Sequence, residues 1–143
     1  MNEPGAARRP SFLARYSWLL VLAALLAVYA WYARSHNLEA AIRRDFVASG
    51  GKVIDLPKSV PFQWDRVCIV GPYSRSKDTS ALLGFEWDSD AHSNVSDDDG
   101  VALLVFAAND IVVGAVDFSR ELIARSGKCY PREQATFAAG SRG

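Results

Sequence analysis

At 143 residues the chain has the length of a single domain, and with half its residues hydrophobic and 22% charged it does not have the composition of a disordered protein. Sixteen basic and sixteen acidic side chains cancel overall, but Arg8, Arg9 and Arg15 stand against Glu3 alone in the first 33 residues, so the rest of the chain is slightly acidic. An acidic domain lacks the basic face that binds phosphate backbones, which argues against nucleic acid as a partner.

Residues 1–15 read as a basic, disordered tail. Tyr16 to Ala33 is then 18 residues with no charge, no glycine and no proline. As a helix rising about 1.5 Å per residue it would span roughly 27 Å, close to the hydrocarbon thickness of a bilayer. Tyr16 and Trp18 at one end and Tyr29, Trp31 and Tyr32 at the other suit the two headgroup regions. The arginines before the span predict a cytoplasmic N-terminus, and residues 34–143 then form an extracytoplasmic domain. Arg34, Arg43 and Arg44 after the span weaken that asymmetry. A signal peptide cleaved after Ala30 is the alternative, since Val28-Tyr29-Ala30 has small residues in the right places; bulky Trp31 and Tyr32 favour an uncleaved anchor. The lipid bilayer is thus the first expected partner.

Leu38, Ala41, Ile42, Phe46 and Val47 recur at helical spacing and predict a helix over 36–49, stopped by Gly50-Gly51; nothing between Ala33 and Leu38 firmly breaks it from the anchor, so one continuous rod is an open alternative. Residues 52–56 read as a short strand. Val67 to Val70 read as a buried central strand ended by Gly71-Pro72, and 77–83 as a helix capped by Ser74 or Ser76 and ended by Gly84. Phe85 to Asp88 is a short strand or the approach to a loop, and 88–100 an acidic, solvated, mobile loop. Val101–Ala107 and Ile111–Phe118 are two apolar runs around Ala108-Asn109-Asp110, which predicts a hairpin with a three-residue loop. Both runs are apolar at nearly every position, so the hairpin is expected in the middle of the sheet under a helix, with Gly114 at a bulge or a close helix contact. Residues 121–125 read as a helical turn, 128–137 as an edge strand or docked tail, and 140–143 as a fraying end. The fold class that follows is α+β: one transmembrane helix, then a small domain with a mainly antiparallel sheet and two or three helices.

Cys68 and Cys129 are the only cysteines. A bridge between them would close a loop of about 60 residues and add roughly 4 kcal/mol by the chain-entropy argument; two unpaired thiols, with Cys68 as a small core residue, are the other reading. Their spacing matches no zinc or redox motif.

No catalytic, metal or cofactor motif stands out. His36 and His92 sit at no spacing that suggests a triad, and the acidic loop counted from Asp88 has Ser93 and Asp99 where a calcium loop needs glycine and usually glutamate. The candidate binding residues are Trp64 and Tyr73, which flank the central strand, and Asp97, Asp98 and Asp99. Trp64 is weighed between a partner anchor and a plug at the end of the core, the second being preferred. From Phe62 to Tyr73, then Leu82 to Phe85 and the hairpin, the chain resembles a group of small, uncharacterised bacterial membrane-anchored or lipoprotein-like proteins, with a tryptophan–aspartate strand followed by a Gly-Pro-Tyr turn. That resemblance spans roughly 62–118 and implies location and architecture only.

The function expected is therefore a non-enzymatic binding or accessory module, single-pass in a bacterial inner membrane, with an envelope protein as partner. An inhibitor or immunity-type protein and a secreted domain are the alternatives.

Overall fold

The computed structural model describes residues 12–123 and 125–140. The expected disorder of the first eleven residues and the fraying of 141–143 lie outside that set. The first element is α1 (Phe12–Ala48), 37 residues that contain neither glycine nor proline and so offer no break. It takes in both the predicted membrane span and the predicted 36–49 helix, and it starts inside the segment read as disordered tail. Two left-handed glycines end it: Gly50 and Gly51 both have φ 73°, and the Gly51 N–H donates to the Phe46 carbonyl at 3.0 Å.

The chain divides into two compact units, one ending at Tyr32 and one beginning at Ala33. In the first, large apolar side chains are exposed, Leu20 by 73%. Among the described residues α1 is the one helix long and apolar enough to cross a membrane, and none of its apolar window is buried.

The second unit is an antiparallel α+β domain. After α1 come β1 (Val53–Asp55), the one-turn α2 (Leu56–Ser59), β2 (Arg66–Val70), α3 (Ser76–Leu83), β3 (Val101–Ala108), β4 (Ile111–Ser119), β5 (Lys128–Pro131), a 3₁₀ turn (Arg132–Gln134) and β6 (Thr136–Ala138). The main sheet has the order β4-β3-β2-β5, and β1 pairs with β6 in a separate two-stranded ribbon.

Both faces of the main sheet are covered, which explains why β2 and β3 are apolar at almost every position. On one face Val67, Ile69, Ala102, Leu104, Phe106, Val116 and Phe118 meet Leu38 and Ile42 of α1, Ile54, Leu56, Trp64 and Phe137. The other face follows by strand alternation, with Cys68, Val70, Leu103 and Val105 all buried. There α3 packs against β2 and β5. Arg66 ties that layer to the sheet, its guanidinium donating to the Leu83 carbonyl (3.1 Å) and the Asn109 carbonyl (2.9 Å).

Several expectations change. The hairpin is not central: β3 is, but β4 is the outer edge, and Ile111 is 68% exposed. Its loop has two residues, not three, because Ala108 pairs with Ile111 and Asn109 takes a φ of 54°. Gly114 does sit at a bulge, with Phe106 opposite Gly114 and Ala107 opposite Val112, but the close neighbour is an aromatic ring rather than a helix. Where a helical turn is expected at 121–125, the described residues show a turn at 120–122, closed by the Leu122 N–H on the Ser119 carbonyl at 3.1 Å. Residues 85–88 are the approach to a loop and form no strand. The acidic loop is largely exposed to solvent, as expected, but it is pinned at several points. Val95 is buried, its carbonyl accepts the Tyr73 N–H at 2.7 Å, and Ser93 donates to Asp117 on β4.

The open question about the cysteines is settled in favour of the bridge. Cys68 and Cys129 are directly opposite one another on β2 and β5, with Cα atoms 3.9 Å apart, and form a disulfide. The Arg132 N–H donates to the Asp65 carbonyl at the end of this ladder, which makes 66/131 and, by alternation, 68/129 narrow pairs. A narrow pair brings the two side chains close together.

Candidate functional site

The sequence-derived candidates do not converge. Trp64 is 2% exposed, its ring edge-on to Phe106 at 5.2 Å and covered by the Arg132 guanidinium at 5.5 Å from the ring centre. It fills the end of the core, and its indole Nε1 is buried with no hydrogen-bond partner among the described residues. Tyr73, at the other end of β2, is 64% exposed and takes a left-handed backbone, φ 62°. Asp97, Asp98 and Asp99 are exposed near the end of the acidic loop, where Asp98 accepts the Gly100 N–H at 2.8 Å and the Asp99 carbonyl accepts from Arg120 at 3.4 Å. Arg120 and Gly100 thus close the loop back onto β3 and β4.

A different constellation is built on α3. Ser76, Thr79 and Ser80 stand at i, i+3 and i+4, which puts three hydroxyls on one side of the helix. Each one grips the chain that follows. The Ser80 hydroxyl accepts the Trp87 N–H at 2.9 Å and donates to the Trp87 carbonyl at 3.1 Å. Thr79 and Ser89, both fully buried, share a hydrogen bond at 3.0 Å. The Ser76 hydroxyl donates to Asp88 Oδ1 at 2.8 Å and accepts the Asp90 N–H at 3.0 Å. The stripe therefore fixes residues 87–90 against the helix. It also corrects the expected capping role of Ser76. The helix is closed at its start by Asp78, which accepts the Arg75 N–H at 3.0 Å, and ended by Gly84 at φ 85°.

The start of α3 and this pinned segment border a shallow, open groove of about 460 Å³, lined by Ser76, Lys77, Ser80, Glu86, Trp87 and Asp88. Trp87 is half-buried, and the His92 imidazole stacks on it in parallel, 5.3 Å between centres and 6° between planes. The Asp88 carboxyl is held below its ordinary range, first by the Ser76 hydroxyl, then by the backbone N–H groups of Ala91 and Asp90 and by the charge of His92; partial desolvation opposes this. Asp88 Oδ1 is thus engaged, whereas Asp88 Oδ2, the Glu86 carboxylate and the Lys77 ammonium make no hydrogen bond or ion pair among the described residues.

The Ser76 hydroxyl is held from both sides, donating to Asp88 Oδ1 and accepting the Asp90 N–H. Among the described residues no group of three or more His, Cys, Asp and Glu side chains is placed to hold a metal. Sequence reading missed Lys77, Glu86 and Trp87. The signal that would have found them is the Ser-x-x-Thr-Ser spacing, because three hydroxyls on one face of a short helix need partners beyond the helix.

Comparison of the chain with family profiles, curated proteins and solved structures finds no match in any of the three. The resemblance noted above therefore rests on the sequence pattern alone.

Proposed function

We propose that the chain is a single-pass protein of a bacterial inner membrane, N-terminus in the cytoplasm, whose domain lies in the periplasm and works as a non-enzymatic binding or accessory module. The observation that carries this reading is the Cys68–Cys129 disulfide in the domain that follows an exposed apolar helix. Disulfides persist in oxidising compartments and are rare in the cytosol. The bridge therefore supports the same side for the domain as the arginines at 8, 9 and 15 do. Two unrelated physical effects, charge retention at the inner face and thiol oxidation at the outer, agree.

The binding role is supported by the groove on α3. A hydroxyl stripe, a buried hydroxyl pair and an aromatic stack are all spent on holding Trp87 and Asp88 in place, and such pre-ordering is what recognition gains from.

The test is the thiol state in intact cells. Free thiols are alkylated before lysis, and the membrane fraction is washed with high salt and then with alkaline carbonate. The expected result is a chain that stays in the membrane pellet with both cysteines protected from alkylation until a reductant is added. Two alkylated cysteines, or release by salt, would contradict the reading.

A further inference from the structure

We propose that the groove between α3 and residues 86–88 is a binding site for a neutral saccharide, with Trp87 as the platform for one pyranose ring. The inference rests on the reading of the domain as a binding module and names the class of its ligand.

The first argument is the balance of charge. The groove presents two carboxylates, Glu86 and Asp88, and one ammonium, Lys77. Glu86 and Lys77 line the same groove yet lie beyond ion-pair distance of each other, and neither has another partner among the described residues. A cationic ligand would meet Lys77, and an anionic one would meet two carboxylates. A neutral molecule rich in hydroxyls meets neither penalty, since each hydroxyl both donates and accepts. It can donate to Glu86 and to Asp88 Oδ2 and accept from Lys77.

The second argument is the aromatic wall. A pyranose has an apolar face of C–H groups that suits the electron-rich face of an indole, while its rim of hydroxyls needs polar neighbours. The groove sets Trp87 between Glu86 and Asp88 in sequence, with Ser76 and Ser80 of α3 directly beside them. Neither the ring nor Asp88 is left to find its position on binding. Ser80 holds the Trp87 backbone from both sides, His92 covers one face of the ring so that the proposed sugar takes the other, and Ser76 fixes one oxygen of Asp88, leaving the second for a ligand. The third argument is access: the site, with about 460 Å³ of space, is open to solvent, so a segment of a longer chain can reach it.

The experiment uses the full chain in lipid nanodiscs, titrated by calorimetry with three soluble neutral oligosaccharides (chitotetraose, cellotetraose and maltotetraose) and with the polyamine spermidine. The expected result is saturable binding of at least one oligosaccharide. Trp87→Ala should weaken it about tenfold, the loss of one aromatic stack. Glu86→Gln should weaken it severalfold; Glu86 is exposed and makes no hydrogen bond or ion pair among the described residues, so this variant keeps the fold if Trp87→Ala does not. Glu121→Gln, exposed and outside the groove, should leave the affinity unchanged. Preference for spermidine, or no saturable binding of any of the three oligosaccharides, would overturn the proposal. A photo-crosslinker at Lys77 separates the two levels: capture of a protein at this position, with no oligosaccharide bound, would remove the saccharide and leave the binding-module reading standing.

Discussion

Trp64 and Trp87 show how little a residue's type says about its role. Both are tryptophans followed by an aspartate, yet Trp64 is locked in the core and Trp87 lines a groove. Sequence reading chose Trp64 because it flanks an obvious strand; what distinguishes the two is the partner each meets across the chain, Phe106 and Arg132 in one case, Ser80 and His92 in the other. Trp64→Ala should therefore behave as a core truncation, costing about 3–5 kcal/mol in denaturant unfolding. Gly114 makes a similar point. An added Cβ would lie 2.5 Å from the Phe62 ring, itself packed edge-on against Phe106. Gly114→Ala should cost about 1–3 kcal/mol by overpacking, read from the same unfolding curves. Asp88 carries a pH prediction. Its folded-state pKa lies below the ordinary value, so the Ser76–Asp88 contact contributes fully above the ordinary carboxylate range and is lost as pH falls through the depressed value. Amide exchange at Asp90 and Ala91 should accelerate in acid for the native chain beyond the intrinsic pH effect, and that excess should disappear in Asp88→Asn.

The elements were legible wherever a single physical rule fixed them. The absence of glycine and proline from Phe12 to Ala48 made α1 continuous, and the paired glycines at 50 and 51 ended it. The apolar runs at 101–108 and 111–119 were visible as a hairpin, but their place in the sheet was not. Apolarity at every position reports that both faces are covered and says nothing about which strand is the edge. In this domain the second cover is α3 with the chain that follows it, and the residues that dock that chain, Thr79, Ser89 and Val95, are too ordinary in type to reveal it. The disulfide was equally undecidable, because a sequence separation of 61 carries no distance. With β5 known to lie beside β2, its energetic role can be stated. It ties a four-residue edge strand to the centre of the sheet and constrains the unfolded chain. Replacing both cysteines by alanine should lower stability by about 4 kcal/mol, and a reductant should reproduce most of that loss in the native chain.

At the scale of the whole molecule, fold and candidate site were accessible to different degrees. Fold class follows from patterns that recur along the chain: an 18-residue apolar span, strands that are apolar throughout, and turns marked by glycine and proline. The site depends on juxtaposition across α3 and the following loop, which no period or spacing encodes except the hydroxyl stripe. What joins the two scales is location: the proposed function carries the requirement that the chain cross from a reducing to an oxidising side, and an apolar span followed by a bridged domain supports it. Protease accessibility tests that requirement most directly. An epitope fused after Gly143 should be removed by protease added to spheroplasts whose inner membrane is intact, while one fused ahead of Met1 survives until the membrane is dissolved. Survival of the first epitope with loss of the second would invert the orientation and contradict the account.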